Sequence, residues 1–183
     1  HVLDFPTSDY AGGLWAVMTR LRRSAPENLS KEVLVVASAV PGEGKSTFAC
    51  NLALASAASG TRTLLIDGDL RASGLSNRIV PAEARGLVQL AQEGAQLREL
   101  TWSDQASLLQ FLPTGATAKL SNANEILASP GVGALFEACR RAGVRRAVYI
   151  STGGAAYGDT DVLPTPEDHP LRPASPYGVS KVT

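Results

Sequence analysis

The chain has 183 residues, which suits one domain and is too short for two complete enzymes of ordinary size. Its 17 basic and 17 acidic side chains balance, so bulk electrostatic capture of nucleic acid or of an anionic membrane is not expected. With 44% hydrophobic and 19% charged residues, the chain is predicted to fold around a packed core and not to be disordered.

A helix and a strand are the first elements that the sequence predicts. Apolar residues recur with the spacing of one helix face over residues 11–23, at Leu14, Val17, Met18 and Leu21. The run VLVVA at 33–37 is apolar and β-branched without alternation, which predicts a central parallel strand buried on both faces. After a glycine-rich turn, an alanine-rich helix ends at Gly60, and TRTLLID at 61–67 is a second strand of the same kind.

The second half of the chain continues the alternation of helices and strands. It predicts a helix over 81–94, a strand over 107–112, a helix over 122–142 that breaks at Pro130, and a strand in RRAVYIS at 145–151. Such alternation predicts a parallel sheet covered by helices and joined by right-handed crossovers. From residue 153 onward Gly, Pro, Asp and Thr dominate until a helical beginning at 176–183.

The cysteines and the N-terminal segment indicate in which cellular compartment the protein is expected. Cys50 and Cys139 lie in predicted helices with neither CxxC spacing nor a nearby His pair, so we expect buried reduced thiols and neither zinc site nor disulfide. No apolar run approaches the roughly 18 to 20 residues that span a bilayer, and a signal pattern is lacking. We therefore expect a cytoplasmic protein without membrane insertion, and we expect His1 to be a fragment end.

The stretch AVPGEGKS at 39–46 has the pattern of a phosphate-binding turn between a strand and a helix. Its glycines allow turns in which amide N–H groups converge on phosphate oxygens, and the following helix adds its dipole. Lys45 would reach the β- and γ-phosphates, Ser46 would ligate Mg²⁺, and Thr47 would face the α-phosphate or cap the helix. The predicted cradle consists of Gly42, Glu43, Gly44, Lys45, Ser46 and Thr47.

Two carboxylates follow the second strand, in LLIDGDLR at 64–71. Asp67 and Asp69 are two residues apart, a spacing that points both side chains to one side of an extended segment. Ligands of open α/β sheets bind outside the carboxyl ends of the strands. The pair could therefore hold Mg²⁺ through water or accept a proton from a hydroxyl nucleophile. The alternative is one helix-capping and one solvated carboxylate.

The segments SAVPGEGKST at 38–47 and LLIDGDLR together resemble the bacterial tyrosine kinases of polysaccharide export, which are P-loop autokinases. The resemblance covers roughly residues 10–138 and includes SNANEILASP at 121–130. It implies Walker A and Walker A′ motifs, ATP and Mg²⁺ as cofactors, tyrosine autophosphorylation, and a membrane activator of export as a partner. It also implies that Lys45 and Ser46 bind phosphate and Mg²⁺ and that Asp69 is a candidate metal ligand. Asp67, as acid or base, and Lys45 are the candidate catalytic residues of the kinase kind.

The chain departs from that family at two places. The family's N-terminal helix carries a Glu-x-x-Arg-x-x-Arg pattern for ring assembly, and Gly12, Trp15 and Met18 stand there, so we expect a weak ring or none. This apolar face would be a core contact or a different interface. Ser151 stands where the family has the Walker B aspartate, and a neutral hydroxyl cannot supply that charge. Impaired phosphoryl transfer is the consequence.

Residues 140–181 resemble a different family, the extended short-chain dehydrogenases that act as nucleotide-sugar epimerases. In that family a Tyr-x-x-x-Lys pair shares one helix face, and the ammonium lowers the tyrosine pKa so that the phenolate takes a sugar proton while NAD accepts hydride. Tyr177 and Lys181 match the pair, and Ser151 or Thr152 matches the hydroxyl that binds the same oxygen. NAD is not expected to bind, because the chain lacks the G-x-x-G-x-x-G turn and a substrate-binding half.

The combined prediction is a chimera made by fusion, recombination, assembly error or design. Its fold is α/β, a truncated three-layer parallel sheet of the P-loop NTPase type, with a Rossmann-like epimerase strand and loop at the C-terminus. Residues 1–138 form the kinase-like domain, and 139–183 pack on the same sheet. We expect ATP binding with impaired transfer; the alternatives are an NAD-dependent nucleotide-sugar epimerase or dehydratase fragment and a non-catalytic chimera. An uncovered sheet edge predicts aggregation or dimerisation.

Overall fold

The computed structural model describes residues 2–24, 32–37, 43–70, 72–116, 120, 122–127, 129–141 and 144–150. The helices in these ranges are α1 (Asp9–Ser24), α2 (Lys45–Ala58), α3 (Ser76–Ile79), α4 (Leu87–Glu93), α5 (Leu97–Leu100), α6 (Ala123–Leu127) and α7 (Pro130–Arg141). The strands are β1 (Glu32–Val36), β2 (Thr63–Asp67), β3 (Trp102–Ser103), β4 (Leu109–Leu112) and β5 (Arg146–Ile150).

The strands form one sheet in the order β1-β5-β2-β4-β3. The neighbours β1 and β5, β5 and β2, and β2 and β4 are parallel, which confirms the predicted α/β architecture. Strand β3 is antiparallel to β4 at one edge, and its two residues are too few to produce a periodic pattern in the sequence. Strand β5, which has the epimerase resemblance, lies between β1 and β2 and joins β1 to the rest of the sheet.

Strand β1 lies at the other edge of the described sheet, so the prediction of a central strand buried on both faces is wrong. Within the described residues it pairs with β5 alone. Val33 and Val35 on one face are 54% and 63% exposed, while Leu34 and Val36 pack against the core on the other face. An apolar run indicates that a strand is buried on at least one face, but it does not encode the order of strands in the sheet.

Apolar clusters on the two faces of the sheet produce three layers. On one face, Ala49, Ala53 and Ala57 of α2 pack against Leu65 of β2 and Val148 of β5. The small alanine side chains let this helix lie close to the strands. The opposite face is covered mainly by α4, α6 and α7, whose apolar residues share a cluster with inward residues of β2, β4 and β5. Helix α2 therefore packs directly against β2 and β5.

Helix α1 packs on the outer side of α2 and only partly follows the predicted face. Ala11, Leu14 and Met18 are buried there, so Met18 is a core contact. Val17, which the spacing assigns to the buried face, is 39% exposed, and Trp15 is 37% exposed. The apolar face that replaces the family's charged pattern thus has a buried and an exposed part.

One predicted helix boundary needs correction, and one predicted break is confirmed. The helix predicted over 81–94 begins only at Leu87, because the N–H groups of Leu87 and Val88 donate to the Pro113 and Thr114 carbonyls at 2.9 and 3.0 Å. The chain before Leu87 is a turn, since it must first reach the end of β4. The predicted break at Pro130 is confirmed, with α6 before it and α7 starting at it.

A buried polar contact links β5 to α2. Arg146, the first residue of β5, is 3% exposed, and its Nη1 donates to Ser56 Oγ at 3.0 Å. The same Ser56 hydroxyl accepts a hydrogen bond from Thr63 Oγ1 at 3.1 Å. Because these groups are buried, each must be paired, so the contact helps to specify which strand lies beside α2.

Candidate functional site

The site begins at Gly44, which precedes α2. Its backbone is left-handed, with φ 85° and ψ 13°, a conformation that favours glycine because a Cβ would be strained there. Gly44 is the N-cap of α2, and its carbonyl accepts the Phe48 N–H at 2.8 Å. Glycine has no side chain that could cap the helix, so the amide groups of the first turn are open to an anion. Thr47 lies inside the helix, and its alternative role as the cap is wrong.

A cavity of about 410 Å³ lies beside the first turns of α2. This volume is within the range of small-molecule sites. Four lining residues come from the predicted cradle, namely Gly44, Lys45, Ser46 and Thr47. The others are Cys50 and Asn51 in α2 together with Gly74, Leu75 and Arg78 in and before α3. The structure therefore brings these four cradle residues together with a segment that follows β2, whereas Glu43 is exposed and does not line the cavity.

Lys45 and Asp69 form an ion pair at this site. Lys45 Nζ lies 3.3 Å from Asp69 Oδ2, and the two side chains are 15% and 14% exposed. Asp69 Oδ1 also accepts the Ala72 N–H at 3.2 Å, which helps to hold the carboxylate in place. Strands β1 and β2 are parallel and end at the same edge of the sheet. The segments after them, which carry Lys45 and Asp69, therefore lie close together.

Asp67 has partners other than those of Asp69, and the shared role expected from their spacing stays a prediction. Asp67 Oδ2 accepts hydrogen bonds from Ser76 N at 2.9 Å and Ser76 Oγ at 2.7 Å. Its Oδ1 accepts from Asp69 N at 3.1 Å, and the residue has no exposed surface. Strand β2 ends at Asp67, so the extended alternation stops before Asp69. The geometry fits one half of the alternative, because Asp67 binds the first N–H group of α3, whereas Asp69 is paired with Lys45 and not solvated.

Burial raises the pKa of Asp67 above its usual value, because the charged form loses hydration. The hydrogen bonds from Ser76 and Asp69 oppose this rise but do not cancel it. A carboxyl with a raised pKa is a candidate acid or base in general. Here both of its oxygens are already engaged by the protein, so this role stays a prediction.

A buried hydroxyl network around Asp67 was not predicted from the sequence. Ser76 Oγ accepts the Thr114 N–H at 2.9 Å, and Thr114 Oγ1 donates to Ser73 Oγ at 3.1 Å. The network joins the ends of β2 and β4 to the start of α3. No local pattern could have identified it, because Thr114 is 38 residues from Ser76.

Both cysteines are free thiols, one buried and one at the cavity. Cys139 is buried and free, and burial raises its pKa to about 11, whereas Cys50 is free but half-buried at the cavity. Within the described ranges, no group of three or more His, Cys, Asp or Glu could hold a metal ion. None of the helices in those ranges is both long and apolar enough to cross a membrane.

Several predicted site residues lie outside the described residues, namely Gly42, Ser151, Thr152, Tyr177 and Lys181. Ile150, the last described residue, is paired with Val36 of β1 and with Asp67 of β2. The carboxyl end of β5 therefore lies level with the ends of β1 and β2, at the edge of the sheet where Asp67 lies. The roles predicted for these residues remain predictions.

A family model matches the second half of the chain. It is described as the NAD dependent epimerase/dehydratase family, and it covers residues 90–183. The match starts in α4, well before the junction expected near residue 138. The location of the junction and the two predicted domain ranges therefore stay predictions.

Curated relatives fall into two groups. The chain is 44% identical over 116 residues to the succinoglycan biosynthesis transport protein ExoP of Rhizobium meliloti (strain 1021), which covers 60% of this chain and 14% of ExoP. It is 54% identical over 48 residues to a UDP-glucose 4-epimerase of Mycolicibacterium smegmatis (strain ATCC 700084 / mc(2)155), covering 26% of this chain and 15% of that enzyme. The chain thus spans a small part of the length of each relative.

The kinase domain of Escherichia coli tyrosine kinase ETK is similar in structure, with a TM-score of 0.72 at 22% identity. The alignment covers 85% of this chain and 61% of the ETK domain. At this identity the likeness shows the fold, and it confirms the predicted three-layer α/β architecture.

Proposed function

We propose that the chain is a nucleotide-binding chimera, since it belongs to the NAD dependent epimerase/dehydratase family through residues 90–183 and is 34% identical over 114 residues to the tyrosine-protein kinase CpsD of Streptococcus agalactiae. It holds ATP with Mg²⁺ beside the N-terminus of α2, and it transfers phosphate poorly or not at all. Because the chain covers only part of its relatives, we do not assign it their whole activity.

The Lys45–Asp69 pair at the cavity is the observation that supports this proposal most. Lys45 offers a positive charge to phosphate oxygens, and the uncapped amides after Gly44 offer hydrogen-bond donors. Ser46, which lines the cavity, and Asp69, which pairs with Lys45, offer a hydroxyl and a carboxylate, the hard oxygen ligands that suit Mg²⁺. When bound, Mg²⁺ would neutralise phosphate charge. Donor chemistry and location therefore fit a magnesium nucleotide.

We expect weak phosphoryl transfer because neither Asp67 nor position 151 offers an available carboxylate to act as the catalytic base or as the family's further metal ligand. A tyrosine kinase needs a group that accepts the hydroxyl proton, and both oxygens of Asp67 already accept hydrogen bonds from Ser76 and Asp69. Ser151 is neutral where the kinase family has an aspartate. We therefore propose that nucleotide binding exceeds catalysis in this protein.

A nucleotide-sugar epimerase or dehydratase is the second candidate, because the family model and the UDP-glucose 4-epimerase relative both support it. Tyr177 and Lys181 would be its catalytic pair, with Ser151 or Thr152 as the hydroxyl partner. The missing dinucleotide turn speaks against it, and a non-catalytic chimera is the third candidate. Cytoplasmic location and a membrane activator of export as partner are proposals from the kinase similarity alone.

Titration with a fluorescent ATP analogue, with and without Mg²⁺, tests the leading proposal. Lys45→Ala should weaken binding at least about tenfold, because the charge-assisted contact to phosphate is lost. Arg98→Ala, which removes an exposed cation outside the cavity, is the matched control and should bind like wild type. Equal binding by wild type and Lys45→Ala would contradict the proposal.

The same preparation distinguishes the other candidates. An NAD-dependent absorbance change with a UDP-sugar would favour the epimerase. Cooperative unfolding combined with binding of neither ATP nor NAD would favour the non-catalytic chimera.

A further inference from the structure

Arg78 is a charged residue of the cavity that the sequence pattern does not single out. It belongs to α3 and lines the same cavity as Lys45 and Ser46. Its side chain is exposed, and within the described residues its guanidinium has neither an ion-pair nor a hydrogen-bond partner. An unpaired cation beside the cradle is available to an anionic ligand.

The charge distribution in the cavity makes this cation important. Lys45 is compensated by Asp69 at 3.3 Å, so the cradle alone presents little net positive charge. A nucleoside triphosphate brings several negative charges into the cavity. A guanidinium can donate two parallel hydrogen bonds to phosphate oxygens, which a lysine ammonium cannot do with the same geometry. Arg78 would therefore complement Lys45 and not duplicate it.

The backbone that carries Arg78 is firmly held. Ser76, two residues earlier, donates its N–H and hydroxyl to Asp67 Oδ2 at 2.9 and 2.7 Å. The Ser76 hydroxyl also accepts the Thr114 N–H at 2.9 Å. The Arg78 N–H itself donates to the Leu75 carbonyl at 3.0 Å. The buried carboxylate of Asp67 thus positions α3, while the Arg78 side chain stays at the rim of the cavity.

We propose that Arg78 is a second phosphate-binding cation of this site and contacts the phosphate chain of a bound nucleoside triphosphate together with Lys45. This inference rests on the proposed function, because it requires a nucleotide in the cavity. It also assigns Asp67 a positioning role, since its carboxylate anchors the helix that carries the cation.

Competition titrations with fluorescent ATP and inorganic tripolyphosphate test this inference. Arg78→Ala should weaken the binding of both probes about tenfold, because both carry the phosphate chain. Arg78→Lys should restore part of the affinity, since the charge remains and the paired donors are lost. Arg98→Ala is the matched control and should leave both affinities unchanged. Thermal unfolding of Arg78→Ala should match wild type, because the side chain is exposed.

Two results would overturn the inference while the proposed function stands. One is loss of binding in Lys45→Ala with unchanged affinity in Arg78→Ala. The other is an Arg78→Ala variant that binds ATP more weakly but tripolyphosphate normally, which would place Arg78 against the base. If wild type binds neither probe, the proposed function and the inference both fail.

Discussion

Lys45 Nζ and Asp69 Oδ2 lie 3.3 Å apart, and this ion pair joins the first turn of α2 to the segment after β2. Each member of the pair can also bind part of a magnesium nucleotide, because the Lys45 ammonium suits phosphate and the Asp69 carboxylate suits Mg²⁺. Binding of a magnesium nucleotide would therefore replace one contact by two.

Asp69→Asn should uncouple these two roles. Without the carboxylate, Lys45 is no longer compensated, so ATP binding in EDTA should become a few times tighter, about threefold. The enhancement of binding by Mg²⁺ should shrink at the same time, because one oxygen ligand of the ion has lost its charge. Fluorescent ATP titrations with EDTA and with Mg²⁺ measure both effects. Glu99→Gln, an exposed acid outside the cavity, should change neither.

The buried carboxyl of Asp67 predicts a pH-dependent contribution to stability. Its pKa is raised by burial above the ordinary value of 3.8, so the folded protein holds this proton more tightly than the unfolded chain. The stability of wild type relative to Asp67→Asn should be greatest at pH values below the ordinary pKa. It should fall as the pH rises through the raised pKa of Asp67 in the folded protein. Urea unfolding of both proteins over a pH series measures this difference.

Asp104 supplies the control of opposite sign. Hydrogen bonds from Ser107 and Ala106 lower its pKa, so its contribution is present at higher pH and is lost as pH falls. The difference between wild type and Asp104→Asn should therefore slope in the other direction. Parallel slopes for the two variants would argue against the assigned environment of Asp67.

We expect the central strand β5 to contribute more to the free energy of unfolding than the edge strand β1. Val148 of β5 has no exposed surface, whereas Val35 of the neighbouring edge strand is 63% exposed. Val148→Ala should lower the free energy of unfolding by about 2 kcal/mol through lost burial and cavity formation. Val35→Ala should change it by less than about 0.5 kcal/mol. Urea denaturation compares them, and equal effects would show that β5 is not inserted between β1 and β2.

Ser151→Asp is expected to improve Mg²⁺-dependent ATP binding. Ser151 lies outside the described residues, but it directly follows Ile150, which is paired with Val36 and Asp67. A carboxylate there would return the charge that the kinase family has after this strand. We expect several times tighter binding with Mg²⁺, about threefold or more, and no gain in EDTA.

Thr152→Asp is the matched control for that substitution, because it adds the same charge one residue further along the chain. It should give no gain in titrations with Mg²⁺. A similar gain from both variants would indicate a general charge effect and not a specific ligand.

Local patterns were sufficient for much of the fold and for part of the site. The alternation of apolar strands and helices predicted the parallel sheet, and the glycine-rich turn before Lys45 predicted where α2 begins. These features depend on residues close together in the chain, so spacing and backbone preference reveal them. The run at 33–37 showed the limit, since its apolar character could not distinguish an edge strand from a central one.

The sequence by itself determined that a strand, a glycine turn and a lysine-bearing helix follow one another, because each of these is specified within about ten residues. Only the tertiary structure decided that β5 separates β1 from β2, that Asp69 pairs with Lys45 while Asp67 anchors α3, and that Arg78 lines the cavity. The physical reason is that buried polar groups take whichever partners the packed layers bring to them, and residues such as Thr114 and Ser76 meet only after folding.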